Sequence, residues 1–376
     1  MASKCCLILA TMMAGSPALA LEALDERSLS EVTGQAQGLR YTSEYDARID
    51  SISYIDDDGL GADGTVGSIS MSPIRVYTQT NRPVQVDLEV KDVGGRKALV
   101  FTNRDLPVEV EIGSIAINEY SLGGFGQGNF QIGAGDSMVT YLYAGGFDGN
   151  GLTLDLDIPN SMSYETYIDD EGARFTTTVD FSDPYDANGG GLFLKDITFD
   201  LVGEGLRMGL PTTTGGNINF YNARVGDDVL NSIALRNIVL TPGGYLLIKN
   251  ARGASEIGLE MDAVLKQGSN FDYVYIAGEV DGSYPNPNVF EMSANISLLS
   301  DFSVKGMRMN VDGQRGLVFD FDNTDPSSGV TANILVQDYT LQRSDKVATA
   351  VNPVSIGTMD IQMNLTNNSY LQVEGH

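Results

Sequence analysis

The sequence contains few of the side chains on which most enzyme active sites and metal centres depend. Among its 376 residues there are two cysteines, Cys5 and Cys6, one histidine, His376, and no tryptophan. Because the cysteines lie at the extreme N-terminus and the histidine is the last residue, we expect no disulfide framework, no thiolate nucleophile, no Ser-His-Asp triad and no histidine zinc site. Any catalysis would have to use carboxylates, tyrosine, lysine or a bound hard cation.

Long hydrophobic runs are also missing, and the one apolar stretch that could be considered as a membrane span is short and lies at the N-terminus. Lys4 precedes an apolar stretch over residues 5–13, and residues 18–20 (Ala-Leu-Ala) form a small-residue cleavage pattern. This arrangement predicts a secretory signal peptide over residues 1–20. A membrane anchor is the alternative, but the run is far shorter than the ~20 residues that span a bilayer. We therefore expect no transmembrane helix in the mature chain, and an exported protein that is extracellular, at the cell surface or associated with the outer membrane, with the periplasm as the alternative.

Basic residues are scarce relative to acidic ones. The chain has 23 Lys and Arg residues against 50 Asp and Glu residues, and its formal net charge is −27. Nucleic acids and anionic membrane surfaces are bound by clusters of lysine and arginine, so this balance argues against both as partners. It favours solubility, divalent cations and cationic partners.

Helical periodicity is confined to one segment, residues 21–38. Leu21, Leu24, Leu29 and Val32 fall near one face of a helix that would end close to Gly34. A helix of about three turns is not stable alone in water, so the apolar stripe formed by these four residues must dock on another surface. We predict that this N-terminal stripe is an interaction element, which contacts either the body of its own chain or a protein partner.

From residue 39 onward the hydrophobic pattern has a period of two. Apolar and polar residues alternate in many short runs, and the polar positions are often acidic. Such alternation predicts strands with one buried face and one solvated face. The clearest runs are Val84–Val90, Val108–Ile112, Leu152–Ile158, Ile197–Leu201, Met307–Val311, Leu317–Phe321 and Ile361–Leu365.

Turn sequences separate these runs, and some of the runs resemble one another. Leu194–Leu201 is similar to Leu235–Leu240, and a less regular copy begins at Val304, which indicates a decayed tandem unit. We therefore predict an all-β body over residues 39–376: an elongated, repeat-built antiparallel sheet or sandwich, with a β-solenoid as the alternative and the short helix before it. The predicted turns are Asp92–Gly95, Asp170–Gly172, Pro242–Gly244, Asp312–Gly313 and Thr366–Asn368.

One acidic, glycine-rich loop has the composition of a calcium site. Asp56, Asp58 and Asp63 lie within residues 56–64, where glycines permit tight turns. Calcium takes six to eight oxygen ligands from such loops. The loop does not match the twelve-residue helix-loop-helix pattern, because Leu60 stands where that pattern requires an oxygen ligand. We predict calcium as a possible cofactor, with an ordinary acidic β-turn as the alternative.

Paired carboxylates could support an enzyme of a different class. A carboxylate-only, polysaccharide-degrading β-helix would need two Asp or Glu side chains on one sheet face. Acidic residues alternate along nearly every predicted strand, so no pair stands out as catalytic. We expect a protein without enzymatic activity. The enzyme and a periplasmic assembly or binding module are the alternatives.

The first residues after the predicted signal peptide resemble a known family. The stretch contains Ala23-Leu24-Asp25, then Leu29-Ser30, then Val32-Thr33-Gly34-Gln35-Ala36. This pattern is similar to the opening motif of exported Gram-negative proteins that include the FilA-like components of a pilus system. The resemblance covers about fifty residues and carries no catalytic residues. It implies a structural or adhesive role at the cell surface, with protein partners of a pilus-like assembly that can include further copies of the chain.

Overall fold

A computed structural model describes residues 38–57, 59, 64–183, 189–249, 259–278, 290–343 and 354–373. Within these ranges every regular element is a β-strand and every strand pairing is antiparallel. The predicted all-β class is thereby confirmed, and the antiparallel sheet rather than the solenoid is the arrangement found. The predicted N-terminal helix lies outside the described residues. No helix that could cross a membrane occurs in the part of the chain that the structure describes.

The strands are numbered in chain order. The first thirteen are β1 (Leu39–Ser43), β2 (Asp46–Ile49), β3 (Ile52–Asp56), β4 (Gly67–Thr78), β5 (Val84–Val93), β6 (Arg96–Asp105), β7 (Val108–Ile117), β8 (Tyr120–Ser121), β9 (Gly124–Gln131), β10 (Met138–Ala144), β11 (Leu152–Ile158), β12 (Ser163–Asp170) and β13 (Ala173–Asp180). The others are β14 (Leu192–Val202), β15 (Gly205–Gly209), β16 (Thr213–Val225), β17 (Asp228–Leu240), β18 (Pro242–Lys249), β19 (Leu259–Leu265), β20 (Asn270–Ala277), β21 (Phe290–Leu298), β22 (Phe302–Asp312), β23 (Gly316–Phe321), β24 (Gly329–Arg343), β25 (Val354–Thr366) and β26 (Leu371–Val373).

The strands form two ladders, which the chain visits in alternation. Ladder A runs β1-β5-β6-β10-β11-β14-β15-β18-β19-β22-β23-β26. Ladder B begins with β2 and β3 side by side on β4 and continues β7, then β8 with β9, then β12-β13-β16-β17-β20-β21-β24-β25. From β10 onward each hairpin of ladder A is followed by a hairpin of ladder B. Two strand pairings, β14 with β16 and β22 with β24, join the ladders into one sheet of 26 strands.

The main hydrophobic core lies in the middle of the body, where the two ladders pack against each other. Leu154 and Ile197 come from ladder A, and Phe130 and Val179 come from ladder B. Met162, in the turn before β12, is also fully buried there. The alternation of apolar residues along β11 and β13 therefore buries one face of each ladder against the other, as in a sandwich.

Several strands are interrupted by bulges that share one construction. A residue with positive φ, such as Asp196, Asn237 or Gly306, sits in mid-strand where the pairing register shifts. The backbone N–H of each bulge residue is bound by a side chain on the adjacent strand; Asp155 accepts from Asp196 and Asp262 accepts from Gly306. The similar sequences Lys195-Asp196, Arg236-Asn237 and Lys305-Gly306 thus mark bulges, which bend and twist a strand locally.

Most predicted turns are confirmed. Gly94 and Gly95 have positive φ between β5 and β6, as do Glu171 and Gly172 between β12 and β13, which is the geometry of two-residue hairpins. The prediction of a turn at 242–244 is wrong, because these residues pair with β19 as the first part of β18. A Pro-Gly-Gly sequence suits a strand here because a Cβ on Gly244 would lie 2.0 Å from the carbonyl oxygen of Asp262.

Candidate functional site: a buried clasp and two open ends

The acidic loop predicted from the sequence lies at a contact between two distant turns. Asp56, the last residue of β3, is fully buried (0 % exposed). Its Oδ1 accepts a hydrogen bond from the N–H of Gly59 at 3.0 Å, and its Oδ2 accepts one from the N–H of Val311 at 2.7 Å. We call this contact, between residues 56, 59 and 65–67 and residues 311–315, the clasp.

A second buried carboxylate completes the clasp. Asp312 Oδ2 accepts hydrogen bonds from the N–H of Thr65 at 2.7 Å and from its hydroxyl at 3.2 Å. Asp312 Oδ1 accepts from the N–H groups of Gln314 and Arg315 at 2.9 and 2.8 Å. Burial alone would raise the pKa of Asp312, but these hydrogen bonds outweigh burial, so the pKa of the carboxyl lies below its ordinary value. The side chain is therefore ionised at neutral pH and joins the two turns.

At two of the glycines in the clasp, the backbones of the two turns approach too closely for a side chain. A Cβ on Gly67 would lie 2.1 Å from the carbonyl oxygen of Val311. A Cβ on Gly313 would lie 2.3 Å from the carbonyl oxygen of Val66. Glycine at both positions is what allows the turns to meet.

The clasp brings together the beginning of ladder B and the far end of ladder A. β3 is in the first position of ladder B, whereas β22 is the tenth strand of ladder A. In a flat sheet, strands nine positions apart would be separated by ~43 Å, at about 4.8 Å per strand. The sheet therefore curves and twists enough for turns at its two ends to touch. The contact joins turns and leaves the outer strand edges of the two ends unpaired to each other among the described residues.

The structure describes one of the three residues predicted to bind calcium. Asp56 is in the clasp, while Asp58 and Asp63 lie outside the described residues. The described residues include no group of three or more Asp, Glu, His or Cys side chains that could hold a metal ion. The hydrogen bond of Asp56 from Gly59 is that of an acidic turn, whereas the one from Val311 joins two distant parts of the chain, and calcium binding stays a prediction. The N-terminal stripe of Leu21, Leu24, Leu29 and Val32 also lies outside the described residues.

The C-terminal end of the body exposes a row of apolar side chains. Met359, Ile361, Met363 and Leu365 of β25 are all exposed. Met359 lies opposite Val336 and Leu365 opposite Val330, and both of these β24 side chains are buried. Directly opposed residues in a sheet share a face. The exposed row is therefore a continuation of the buried inner face, left uncovered at the last strand. We call β25 and β26 the C-terminal end surface.

The N-terminal end of the body shows the same arrangement. Leu39 and Tyr41 of β1 and Ile49, Ile52 and Ile55 of β2 and β3 are exposed. Ile49 is paired with Ile74 of β4, which is buried, so the inner face again runs out into an uncovered strand. We call β1, β2 and β3 the N-terminal end surface.

The C-terminal end surface is poor in charged residues, and both end surfaces lack the lysines that often protect strand edges. Charged residues make up 19 % of the chain, but only one of the twenty residues from 354 to 373 is charged, Asp360. Neither end surface contains a lysine. Natural proteins commonly place lysine on edge strands to prevent pairing with another chain. These ends lack that protection.

A polar groove on ladder B is a further concave site. Its volume is about 380 Å³, and Arg236, Asp272 and Asn295 are among its lining residues. Asp272 accepts hydrogen bonds from Asn237 Nδ2 at 2.7 Å and from Asn295 Nδ2 at 3.0 Å, and Arg236 Nη2 donates to the hydroxyl of Tyr221 at 3.3 Å. These contacts link adjacent strands, so these polar side chains of the groove stabilise strand pairing and do not by themselves indicate a ligand.

Comparison with known proteins gives a match to one family whose function is unknown. The model of that family (DUF6160) matches residues 1–97, which include the N-terminal stripe, β1 to β5 and one side of the clasp. No curated protein and no solved structure matches the chain. The region in common with the family is therefore the N-terminal end surface together with the loop that enters the clasp.

The partner of Asp56 was not predictable from the sequence. Val311 lies 255 positions away, and the turn at Asp312–Gly313 resembles an ordinary hairpin turn. The open C-terminal end does have a signal in the sequence: the run Met359–Leu365 alternates as a normal strand, and the low charge of its surroundings sets it apart from the rest of an acidic chain.

Proposed function

We propose that this chain is an exported, non-catalytic structural or adhesive component of the cell envelope that works within a pilus-like assembly. The observation that carries the proposal is the pair of end surfaces, where the inner face of the sheet is apolar and uncovered. Contiguous exposed apolar surface rimmed by polar residues is typical of protein interaction sites. A body whose stable middle is flanked by two such ends suits a protein that is joined to others.

The way the acidic residues are used supports a structural role. Many carboxylates on the strands bind a neighbouring strand, either as acceptors at bulges, as Asp155 does for the N–H of Asp196, or as ion pairs. Arg174 is paired with Asp169 at 2.7 Å and Arg40 with Asp87 at 2.6 Å, both across adjacent strands. These contacts favour structural carboxylates over a catalytic pair.

In the same proposal, the N-terminal stripe is a docking element. Its similarity to the opening motif of FilA-like proteins supports a role in a surface assembly. Four side chains contribute at most ~1.5 to 3 kcal/mol each when fully buried, before the cost of ordering the helix. That amount suits reversible docking on the body, on a neighbouring subunit or on an export partner. Replacing Leu24 and Leu29 with Asp should therefore abolish surface display and leave the melting temperature of the body nearly unchanged.

A matched control separates docking from added charge. Ala23 and Ser30 replaced with Asp add the same charge on the side of the predicted helix away from the stripe, and this variant should be displayed normally. If the Leu24→Asp, Leu29→Asp variant is also displayed normally, the stripe has no docking role. If that variant does not fold, the stripe belongs to the core of the body.

Labelling of intact cells with an antibody against the β body tests the proposed location. We expect labelling without permeabilisation, and recovery of the chain in surface or extracellular fractions. Recovery in the periplasm alone would support the alternative of a periplasmic assembly or binding module. Turnover of a polysaccharide by the purified chain, lost when one Asp or Glu is neutralised without unfolding, would support the enzyme alternative and contradict a non-catalytic role.

A further inference from the structure

We propose that the C-terminal end surface of one copy pairs with the N-terminal end surface of a second copy, so that the ladders continue head to tail from chain to chain. The inference rests on the proposed structural role and specifies the partner and the strands involved. The main pairing is antiparallel, between β25 of one copy and β2 with β3 of the next. A smaller pairing joins β26 to β1.

Strand direction is the first argument for a second copy in the same orientation. Each ladder has twelve strand positions, and every neighbouring pair is antiparallel. With an even number of alternating strands, the first and the last strand of a ladder run in opposite directions. When a second copy follows in the same orientation, its first strand is therefore antiparallel to the last strand of the copy before it. This holds for ladder A and for ladder B, so both ladders can continue at once.

The lengths of the free strands agree as well. On ladder B, β25 has 13 residues, and the stretch from Asp46 to Asp56 that forms β2 and β3 has 11. On ladder A, β26 has 3 residues and β1 has 5. Head-to-tail pairing therefore joins the long strand β25 to the long stretch of β2 and β3, and the short strand β26 to the short strand β1. Pairing like ends, such as β25 with β25, would join two long strands but would not continue the sheet in one direction.

The low net charge and the apolar side chains of the two end surfaces favour association there, although the net negative charge of the whole chain opposes it. Two copies that each carry a net charge of −27 repel each other over most of their surface. The C-terminal end surface carries only Asp360, and the N-terminal end surface carries Arg40 and Arg48 among its acidic residues. Continuing the ladder brings the inner face of β25, which carries Ile361 and Met363, next to the inner face of β2, which carries Ile49. Pairing also satisfies the N–H and C=O groups of the outer edge of β25.

Cross-linking of single-cysteine variants tests the pairing. The exported chain is expected to contain no cysteine, because Cys5 and Cys6 lie in the predicted signal peptide. We would replace Ile361 with Cys in one sample and Ile52 with Cys in another, and treat each sample and their mixture with a short bismaleimide. Head-to-tail pairing predicts a covalent dimer mainly in the mixture and little in either sample alone. A chain with both cysteines should give a series of higher multimers.

Leu201→Cys provides the control for random collision. Leu201 in β14 is 88 % exposed and lies far from either end of its ladder. Its mixture with Ile361→Cys should give no more dimer than either variant alone. Melting curves of all variants should match that of the parent chain, which shows that the substitutions leave the body folded.

Two results would overturn the inference. Strong dimer formation by Ile361→Cys alone would mean that like ends meet. Absence of cross-linking in the mixture would mean that another occupant, such as residues 21–37 of the same chain, covers the end. Either result would leave the proposed surface location intact, because cell labelling tests that location separately. Conversely, a purely periplasmic chain could still cross-link head to tail.

Discussion

The middle and the ends of this molecule have similar sequences but different surroundings. In the middle, Leu154 of ladder A and Val179 of ladder B are buried against each other's ladder. At the C-terminal end, Ile361 of β25 is 42 % exposed, although it alternates with polar residues in the same way. The exposure differs because the strands have different neighbours. The middle strands have a strand on both sides and a ladder across the core, whereas β25 has a strand on one side only among the described residues.

From this contrast we expect a stable centre and association at the ends. Each hairpin buries its apolar face only when the next hairpin and the opposite ladder are present. Repeat proteins that remain single usually carry terminal units with a polar outer face. Here the terminal strands keep the apolar pattern of internal ones. We expect the middle to determine the free energy of unfolding and the ends to determine association.

Removing a large side chain from the middle should have the largest effect on stability. Phe181, which is 2 % exposed in the main core, replaced with Ala should lower the free energy of unfolding by about 3 to 5 kcal/mol. Ile361→Ala at the C-terminal end should cost less than about 1 kcal/mol, because that residue is 42 % exposed in the free chain. Chemical denaturation of both variants measures the difference. Equal losses would mean that β25 is buried in the folded chain by a segment of its own.

Calcium tests whether the clasp is strengthened by a cation bound to its acidic loop. If Asp56, Asp58 and Asp63 bind calcium as the sequence predicts, a hundredfold excess over the dissociation constant should stabilise the fold by ~2.7 kcal/mol. The melting temperature should then rise in calcium and fall again with a chelator, and Asp63→Asn should remove the rise. A melting temperature that is the same in calcium and in chelator would leave the loop as an acidic turn.

Neutralising the central carboxylate of the clasp should have a moderate, pH-dependent effect. The two carboxylate oxygens of Asp312 accept four hydrogen bonds, whereas an asparagine has only one side-chain oxygen acceptor. Asp312→Asn should therefore lower the free energy of unfolding by about 1 to 3 kcal/mol at neutral pH. The pKa of Asp312 is lowered in the folded chain, so its contribution is present above the unfolded value of about 3.9 and is lost as the pH falls through the folded value. Urea unfolding at pH 7 and in more acidic solution should therefore show the parent and the variant converging. A constant difference would mean that the charge of Asp312 does not contribute.

A charge at the C-terminal end should have the smallest effect on stability and a complete effect on association. Ile361→Lys should change the free energy of unfolding by no more than about 0.5 kcal/mol, as is usual for exposed positions. It should prevent association, because a lysine on an edge strand opposes pairing with another chain. Sedimentation velocity at several concentrations, with Leu201→Lys as the control, checks both variants. Normal association of Ile361→Lys would exclude β25 as the contact.

Local patterns in the sequence predicted the elements of the fold better than their connections. The run Leu152–Ile158 is β11 residue for residue, because alternation and glycine turns are local properties. The hairpin-by-hairpin alternation between ladders was not predicted, because it depends on which strands meet across the core. The bulges at Asp196 and Asn237 were visible only as a recurring sequence, since an Asp or Asn in mid-strand does not reveal positive φ. The clasp depends on two turns 255 positions apart, which no local pattern connects.

Hydrogen exchange at different protein concentrations tests the central claim, that the middle is closed within one chain and the ends are closed by a second copy. Amides of β11 and β13 should be equally protected at low and high concentration. Amides of β25 and of β2 and β3 should exchange quickly when the chain is dilute and become protected together as the concentration rises. Strong protection of β25 that does not change with concentration would contradict the account, because it would show that the end is covered within a single chain.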